Sequence, residues 1–286
     1  MAGLTRVRVE RPQAVAEAAR ARVRPEGLLG PTGRLMVIAA DHPARGALRA
    51  GDDAMAMADR AELLTRLVAA LSRPGVNGFL GTPDVVEDLL LLGALDHKVV
   101  FGSMNRGGLA GTTFEIDDRF TAYDAAGIDR MGLQGGKVLL RIDPADPATA
   151  PTMQACGRAV GELALRQLVA MVEPFISHRQ DGRVRNDLST EAVIRSVTVA
   201  AGLGDTSAYT WLKLPVVDDM ERVLAASTLP TLLLGGEVTP DQEGTFARWK
   251  QALSAPTVQG LVAGRSLLYP HDGDVAKAVD TAVGLL

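Results

Sequence analysis

The sequence predicts a mixed α/β fold, a single (β/α)8 TIM barrel preceded by an N-terminal helical extension. Three observations predict it. Eight short apolar runs of β character recur along the chain, at 35–40, 76–80, 99–103, 131 or 138 onward, 168–176, 209–214, 231–234 and 259–263. Between them lie stretches whose apolar residues fall three and four apart, at 57–71, 85–95, 152–168 and 191–201, the period of an amphipathic helix. Alternating strands and helices imply parallel pairing. Finally, 286 residues over eight runs give about 36 per unit, and eightfold barrels hold ~250 residues in total. That leaves residues 1–33 as an extension and 34–286 as the barrel, in one domain.

An open doubly wound sheet would also alternate strand and helix. It usually carries a Gly-rich turn after its first strand, however, and Ala39-Ala40-Asp41-His42 is not one. No linker rich in Pro, Gly or Ser divides the chain, and no short repeat appears. The elements follow in order. The N-terminus is Arg-rich, but Glu10, Glu17 and Glu26 sit among the arginines and no apolar run follows, which argues against a transit peptide and for a surface helix at 13–24. Two helix starts set the register downstream. Thr82-Pro83-Asp84 and Thr239-Pro240-Asp241-Gln242 each place an N-cap Thr before a Pro at the first helical position, just after a strand.

Composition bounds the function. Hydrophobic residues make up 47% and charged residues 22%, enough apolar mass for a large core, so disordered and fibrous classes are excluded. Thirty Lys plus Arg against thirty-four Asp plus Glu leave a formal charge of −4, which supplies no field to hold nucleic acid or an anionic membrane. The apolar stretches are broken within about ten residues, short of the roughly 20 a membrane helix needs. The single cysteine, Cys156, cannot form an intrachain disulfide, which points to reducing cytosol.

In such a barrel the site forms at the C-terminal ends of the strands. Asp41 and His42 follow the first run; Lys137, Arg141 and Asp143 lie in or after the fourth; Glu173 and His178 belong to the fifth. Lys213 lies inside the sixth, Gly235-Gly236-Glu237 follow the seventh, and Gly264-Arg265-Ser266 follow the eighth. The chain has twenty-five arginines and only five lysines, so a lysine within Trp211-Leu212-Lys213-Leu214-Pro215-Val216-Val217 stands out. Among apolar neighbours an amine is expensive to keep charged, and that favours a nucleophile. The alternative is a strand-end lysine reaching solvent. Lys137 has the weaker context, because Gly135-Gly136 could loop it outward.

Gly235, Gly236, Gly264, Arg265 and Ser266 suit a phosphate, since exposed backbone N–H groups after the last two strands commonly cradle one and Arg265 adds a cationic fork. Asp41 and Glu173 are candidates for acid and base, although carboxylates at strand ends also cap helices. His42 and His178 lack ligand-like spacing, so no metal and no cofactor is expected. His97 and Lys98 precede the third run and belong to the opposite, structural face.

In this order the motifs resemble class I, Schiff-base aldolases of the tagatose-bisphosphate and sulfofructose-phosphate type, within the broader archaeal-type fructose-bisphosphate and deoxyribose-phosphate aldolase superfamily. Asp41-His42-Pro43-Ala44-Arg45-Gly46-Ala47-Leu48 is similar to the first-strand Asp-Gln-Arg-Gly-Ala-Leu segment, with two extra residues and His for Gln. Gly136-Lys137-Val138-Leu139-Leu140-Arg141-Ile142-Asp143 is similar to the fourth-strand Val-Lys-Phe-Leu-Leu-Tyr-Tyr-Asp segment. Val172-Glu173-Pro174-Phe175 resembles the fifth-strand Leu-Glu-Pro motif, and Leu212-Lys213-Leu214-Pro215-Val216 the segment around the imine-forming lysine. Ala263-Gly264-Arg265-Ser266 stands where that group has Cys-Gly-Arg-Ala. Arg141 replaces an aromatic and Gly235 a Ser, departures that bear on the substrate.

The resemblance implies Lys213 as Schiff-base nucleophile, Glu173 as proton acceptor, and Lys137 with Asp41 as groups handling substrate hydroxyls and the carbinolamine. His42, Arg141 and the Gly235 to Ser266 groups would contact substrate and its phosphate. The implied activity is cleavage of a phosphorylated ketose or keto-sugar acid to dihydroxyacetone phosphate and an aldehyde, with a homo-oligomer as a compatible assembly. Two alternatives stay open: a deoxyribose-phosphate-type aldolase and a non-catalytic sugar-phosphate-binding barrel.

Overall fold

A computed structural model describes residues 1–30, 32–238 and 241–286. The strands are β1 (Leu35–Ala40), β2 (Gly78–Gly81), β3 (Val99–Ser103), β4 (Gly135–Ile142), β5 (Val169–Gln180), β6 (Arg183–Asn186), β7 (Thr210–Leu214), β8 (Thr231–Leu234) and β9 (Val258–Ala263). All except β6 are parallel neighbours in the order β4-β3-β2-β1-β9-β8-β7-β5, and β4 pairs with β5 to close the ring. The result is an eight-stranded (β/α)8 barrel, as the alternation of runs predicts.

Helices α1 (Ala2–Glu10) and α2 (Ala14–Ala21) precede the barrel. Between and after the strands come α3 (Arg60–Leu71), α4 (Pro83–Leu91), α5 (Ala125–Arg130), α6 (Thr149–Ala164), α7 (Thr190–Ala201), α8 (Met220–Leu224), α9 (Gln242–Leu253), α10 (Arg265–Leu268) and α11 (Val275–Val283). None of the described helices is long and apolar enough to cross a membrane.

The strand pleat sorts side chains between two layers. Leu35, Val37, Ala39, Leu80, Val99, Phe101, Val169, Met171, Leu232 and Val262 fill the barrel interior. Their neighbours of opposite parity, such as Met36, Ile38, Phe79, Val100, Leu140, Val172 and Leu212, pack outward against the helices. Each such side chain removed from water contributes about 1.5–3 kcal/mol. Odd numbering along β1, β4, β5 and β7 therefore continues the interior face upward, from Ala39 to Asp41, from Lys137 to Arg141, from Met171 to Glu173 and from Trp211 to Lys213.

Boundaries shift where local chemistry overrides periodicity. α3 starts at Arg60 rather than 57, because the Asp59 carboxylate accepts the Glu62 backbone N–H at 2.9 Å and caps the helix there. α4 keeps its predicted Thr82-Pro83 start, although the Thr82 hydroxyl donates to Asp84 Oδ1 (2.6 Å) instead of capping the backbone. It ends at Leu91, well before 95. Thr239 and Pro240 lie outside the described residues; α9 begins at Gln242 behind Asp241, whose carboxylate accepts the Gly244 N–H at 2.8 Å. The helix expected at 13–24 is α2, confined to Ala14–Ala21, and a further helix, α1, precedes it. α1 has no apolar stripe to reveal it and is anchored instead by charge, with Arg8 donating to Glu87 (2.8 Å) and Asp88 (2.9 Å) on α4.

The strand β6 has no counterpart among the eight predicted runs. β5 extends past the barrel rim, turns at Asp181-Gly182 and pairs back antiparallel, with His178 opposite Arg185. Both turn residues are left-handed, Asp181 at φ 51° and Gly182 at φ 74°, the conformation that Asp-Gly hairpin turns favour.

Candidate active site

Four charged side chains meet in the barrel interior just below its C-terminal mouth. Trp211 lies opposite Met171, so Glu173 on β5 and Lys213 on β7 share the next interior layer. Leu139 lies opposite Glu173, which puts Lys137 one layer deeper on β4. Lys137 Nζ is 2.9 Å from Asp41 Oδ2 and 2.6 Å from Glu173 Oε2, while Lys213 Nζ is 2.9 Å from Glu173 Oε1. All four are buried, Asp41 at 3% exposure, Lys137 at 2%, Lys213 at 4% and Glu173 at 8%. Two cations and two anions cancel, which is how such burial is tolerated.

Asp41, Glu173 and Lys137 are held ionised by their neighbours. Burial pushes the Glu173 carboxyl up, but Lys137 and Lys213 outweigh it and hold the group at about 2. Burial acts likewise on Asp41, and Lys137, with His42 and Lys213, keeps it well below the usual carboxylate range. Burial would discharge Lys137, yet Asp41 and Glu173 raise it above an ordinary lysine. Lys213 is thus not surrounded by apolar groups alone, as its sequence neighbours suggest. It sits against a carboxylate, and Lys137 brings two carboxylates along with its own charge.

His42 lies beside the tetrad, its Nδ1 3.8 Å from Asp41 Oδ1 and buried without a hydrogen-bond partner. Burial lowers it to about 4, with Arg265, Lys213 and Lys137 adding to the effect against Asp41, so the ring is neutral near neutral pH. Its Cε1 rests against Gly264, where a Cβ would meet that ring and the Ala39 carbonyl; only glycine fits.

The sequence-predicted residues converge unequally. Asp41, His42, Lys137, Arg141, Glu173, Lys213, Gly235, Gly236, Gly264 and Arg265 all line one cavity of about 510 Å³ at the mouth. Ser266 does not; it faces a small neighbouring cavity beside Glu237 and Trp249, because the chain turns into α10 after Gly264. Gly235 spends its N–H on Val262 O at 2.9 Å, so Gly236, Gly264 and the Arg265 fork remain to face an anion. The Arg265 guanidinium is 3.8 Å from Glu237, a carboxylate 83% exposed, and its Nε is buried without a partner. Arg141 is already paired, Nη2 lying 3.2 Å from Glu115 Oε1. His178 does not line this cavity, and among the described residues no group of three His, Cys, Asp or Glu side chains could hold a metal ion.

The site also holds residues to which the sequence assigns no role. Arg45 is buried, pairs with Asp118 (2.6 Å) and donates to Asn105 O, fixing the long segment between β3 and α5. Asn105 clamps β4 with both amide atoms, donating to Leu139 O (2.6 Å) and accepting from Leu139 N (2.8 Å). Glu115 enters on that same segment. From β6 come Val184, Arg185 and Asn186. The Asp181-Gly182 pair was the available signal for the β6 hairpin.

The profile of the Cgl0159-like family matches residues 33–283. The chain belongs to the Cgl0159-like family. The crystal structure of Cgl0159 from Corynebacterium glutamicum is 56% identical, covering 99% of this chain and 95% of that one, with a TM-score of 0.96. The family barrel is also similar, at 17% identity and TM-score 0.66, to a Schiff-base-forming fructose-1,6-bisphosphate aldolase, over 95% of this chain and 99% of that one. A fructose-bisphosphate aldolase from Slackia heliotrinireducens is 16% identical with a TM-score of 0.62, over 93% and 87% of the two chains. At such identities the likeness concerns the (β/α)8 fold alone. No curated protein matches the chain.

Proposed function

We propose that this protein is a class I aldolase that cleaves a phosphorylated ketose or keto-sugar acid through an imine on Lys213, releasing dihydroxyacetone phosphate and an aldehyde. The observation that carries this reading is the buried tetrad, in which a lysine amine and a carboxylate lie 2.9 Å apart at the mouth of the barrel. The motif order that resembles the tagatose-bisphosphate and sulfofructose-phosphate type supports the same assignment, as does the aldolase-like fold.

The chemistry balances with groups present. The Lys213 amine adds to the ketone carbon, and loss of water gives an iminium that draws electrons from the bond two carbons away. Glu173 takes the proton of the hydroxyl on the far side of that bond. The bond electrons move to the carbon beside the iminium, the aldehyde leaves, and a neutral enamine remains. Protonation of its carbon and addition of water release dihydroxyacetone phosphate and the free lysine. Glu173 is a weak base at rest because two cations hold it down. As the iminium becomes a neutral enamine, one of those cations vanishes, and the affinity of Glu173 for the proton rises in step with the reaction. Lys137 keeps Asp41 and Glu173 in register. Arg265, Gly236 and Gly264 take the phosphate, and His42 offers a neutral ring to a substrate hydroxyl.

Incubation with a panel of ketose phosphates and phosphorylated keto acids, with triose phosphate read by a coupled dehydrogenase, tests this. Release of dihydroxyacetone phosphate from one member supports it. A protein that binds the panel without turnover is a sugar-phosphate-binding barrel instead, and one that cleaves deoxyribose 5-phosphate, assayed alongside, to acetaldehyde and glyceraldehyde 3-phosphate is the other type of aldolase.

A further inference from the structure

The proposed reaction moves protons at two places, and Glu173 serves only one of them. It takes the hydroxyl proton beside the scissile bond, whereas the carbon next to the imine must also lose or gain a proton. His42 follows β1 and Glu173 lies on β5, strands separated by three others in either direction around the ring, so the two side chains stand on opposite walls of one cavity. We propose that His42 moves the second proton, taking it from the carbon beside the imine of dihydroxyacetone phosphate and returning it before release. This rests on the aldolase reading and adds to it an acid and base group and the atom it serves.

The ring is oriented for that task. Its Nδ1 is buried and lies 3.8 Å from Asp41 Oδ1, while Asp41 Oδ2 holds Lys137 at 2.9 Å. The negative charge on that side favours the tautomer with its proton on Nδ1, which leaves the lone pair on Nε2. Cε1 is packed against Gly264, where no side chain fits. With Nδ1 covered and Cε1 packed, the edge left to line the cavity carries Nε2.

The step balances with the groups present. The C–H bond of the hydroxymethyl carbon breaks and its electrons form the carbon–carbon double bond of the enamine. The iminium electrons return to the Lys213 nitrogen, and the proton passes to Nε2. Positive charge thereby moves from Lys213 to the ring, and the total in the cavity is unchanged. Burial, with Arg265, Lys213 and Lys137, keeps the resting ring neutral against the pull of Asp41. As the cation on Lys213 disappears, the proton affinity of the ring rises, and Asp41 faces the imidazolium that forms. In the cleavage direction the ring, protonated from solvent, gives its proton to the enamine after the aldehyde has left. Glutamine, which the resembled first-strand segment has at this position, forms hydrogen bonds but takes no proton.

The test uses the full chain with dihydroxyacetone phosphate in heavy water and needs no aldehyde. Mass spectrometry reads deuterium entering the hydroxymethyl carbon, and borohydride trapping reads the imine independently. Wild type should show both. His42→Gln should form the adduct to the wild-type extent while exchange slows by roughly 10² to 10⁴. His42→Ala should exchange as slowly, and added imidazole should restore part of its rate. Exchange at the wild-type rate in His42→Gln would overturn the assignment. So would an adduct without exchange in the wild type, or loss of the adduct in both variants, which would make His42 a group for imine formation. No adduct on the wild type would refute the aldolase reading and this inference with it.

Discussion

The two ends of the barrel treat their buried cations differently. At the N-terminal end, Arg22 donates to the carbonyls of Lys98 (2.8 Å) and Gly132 (2.7 Å), Arg34 to those of Leu253 (2.7 Å) and Val258 (2.8 Å), and Lys98 to that of Val76. At the C-terminal end, Lys137, Lys213, Arg45 and Arg141 face carboxylates. A carbonyl is fixed by the backbone and takes no proton at any ordinary pH, so the lower cations fasten loops and do nothing else. A carboxylate can give its cation up or accept a proton, so the upper pairs can be rearranged by a substrate. The proposed chemistry and the structural anchoring thus lie at opposite ends of the barrel axis, as in barrels of this class generally.

Paired substitutions break this comparison most sharply. Lys137→Met leaves Asp41 buried without its cation, and should cost about 3–5 kcal/mol of stability together with nearly all turnover. Arg22→Met strands several carbonyls and should cost on the order of 3 kcal/mol, yet the surviving folded protein should keep its wild-type kcat. Thermal melts beside assays corrected for the folded fraction would show it; a loss of kcat in the folded Arg22 variant would end the separation.

Glu173→Gln preserves shape but cannot take a proton, so turnover should drop by roughly 10² to 10⁴ while imine formation on Lys213 continues. Single-turnover kinetics with borohydride quenching would reveal intact ketose bound to the mutant. Near wild-type cleavage would transfer the base to Asp41 or to the substrate phosphate.

At the rim, Arg265→Ala removes binding common to the ground and transition states. KM for a phosphorylated substrate should rise by the equivalent of about 1.5–3 kcal/mol, with kcat little changed. An unchanged KM would place the phosphate elsewhere.

The smallest effect concerns acid. His42 sits at about 4 in the folded protein against 6.5 for a free histidine. Between those values the unfolded chain takes up a proton that the native site refuses, so this contribution is complete above pH 6.5 and is lost as pH falls to 4. The 26% exposure of its side chain screens part of the effect, leaving on the order of 2 kcal/mol. His42→Gln should flatten the fall in melting temperature over that window, and an equal slope in both proteins would contradict the assignment. The carboxylates Asp41 and Glu173 have the opposite charge but the same sign of dependence. Their stabilisation is held above the ordinary carboxylate range and disappears only as pH approaches about 2 for Glu173.

Much of this was legible in the residues and some was not. The short apolar runs revealed all eight barrel strands, because a strand buried on both faces must be apolar along its length. Lys213, Lys137, Asp41 and Glu173 were conspicuous for the same reason: each interrupts or ends an apolar run. Their mutual pairing was not visible, since it depends on strand register, which aligns residues as far apart as 41 and 137. The Arg141–Glu115 pair was hidden likewise, Glu115 lying in a loop without periodicity. α1 was missed because helix patterning detects an apolar stripe and this helix is held by Arg8. The β6 hairpin was missed although Asp181-Gly182 announces such a turn, because the strand after it is mostly charged and polar and does not read as a buried run.

Lys213 is the proposed imine-forming amine. Borohydride reduction in the presence of dihydroxyacetone phosphate, followed by peptide mass mapping, tests it most directly. One covalent adduct is expected, on the peptide holding Lys213, and none in a folded Lys213→Met variant, in which Glu173 keeps Lys137 as its partner at 2.6 Å. An adduct on Lys137, undiminished labelling of Lys213→Met, or no adduct on the wild type would contradict it.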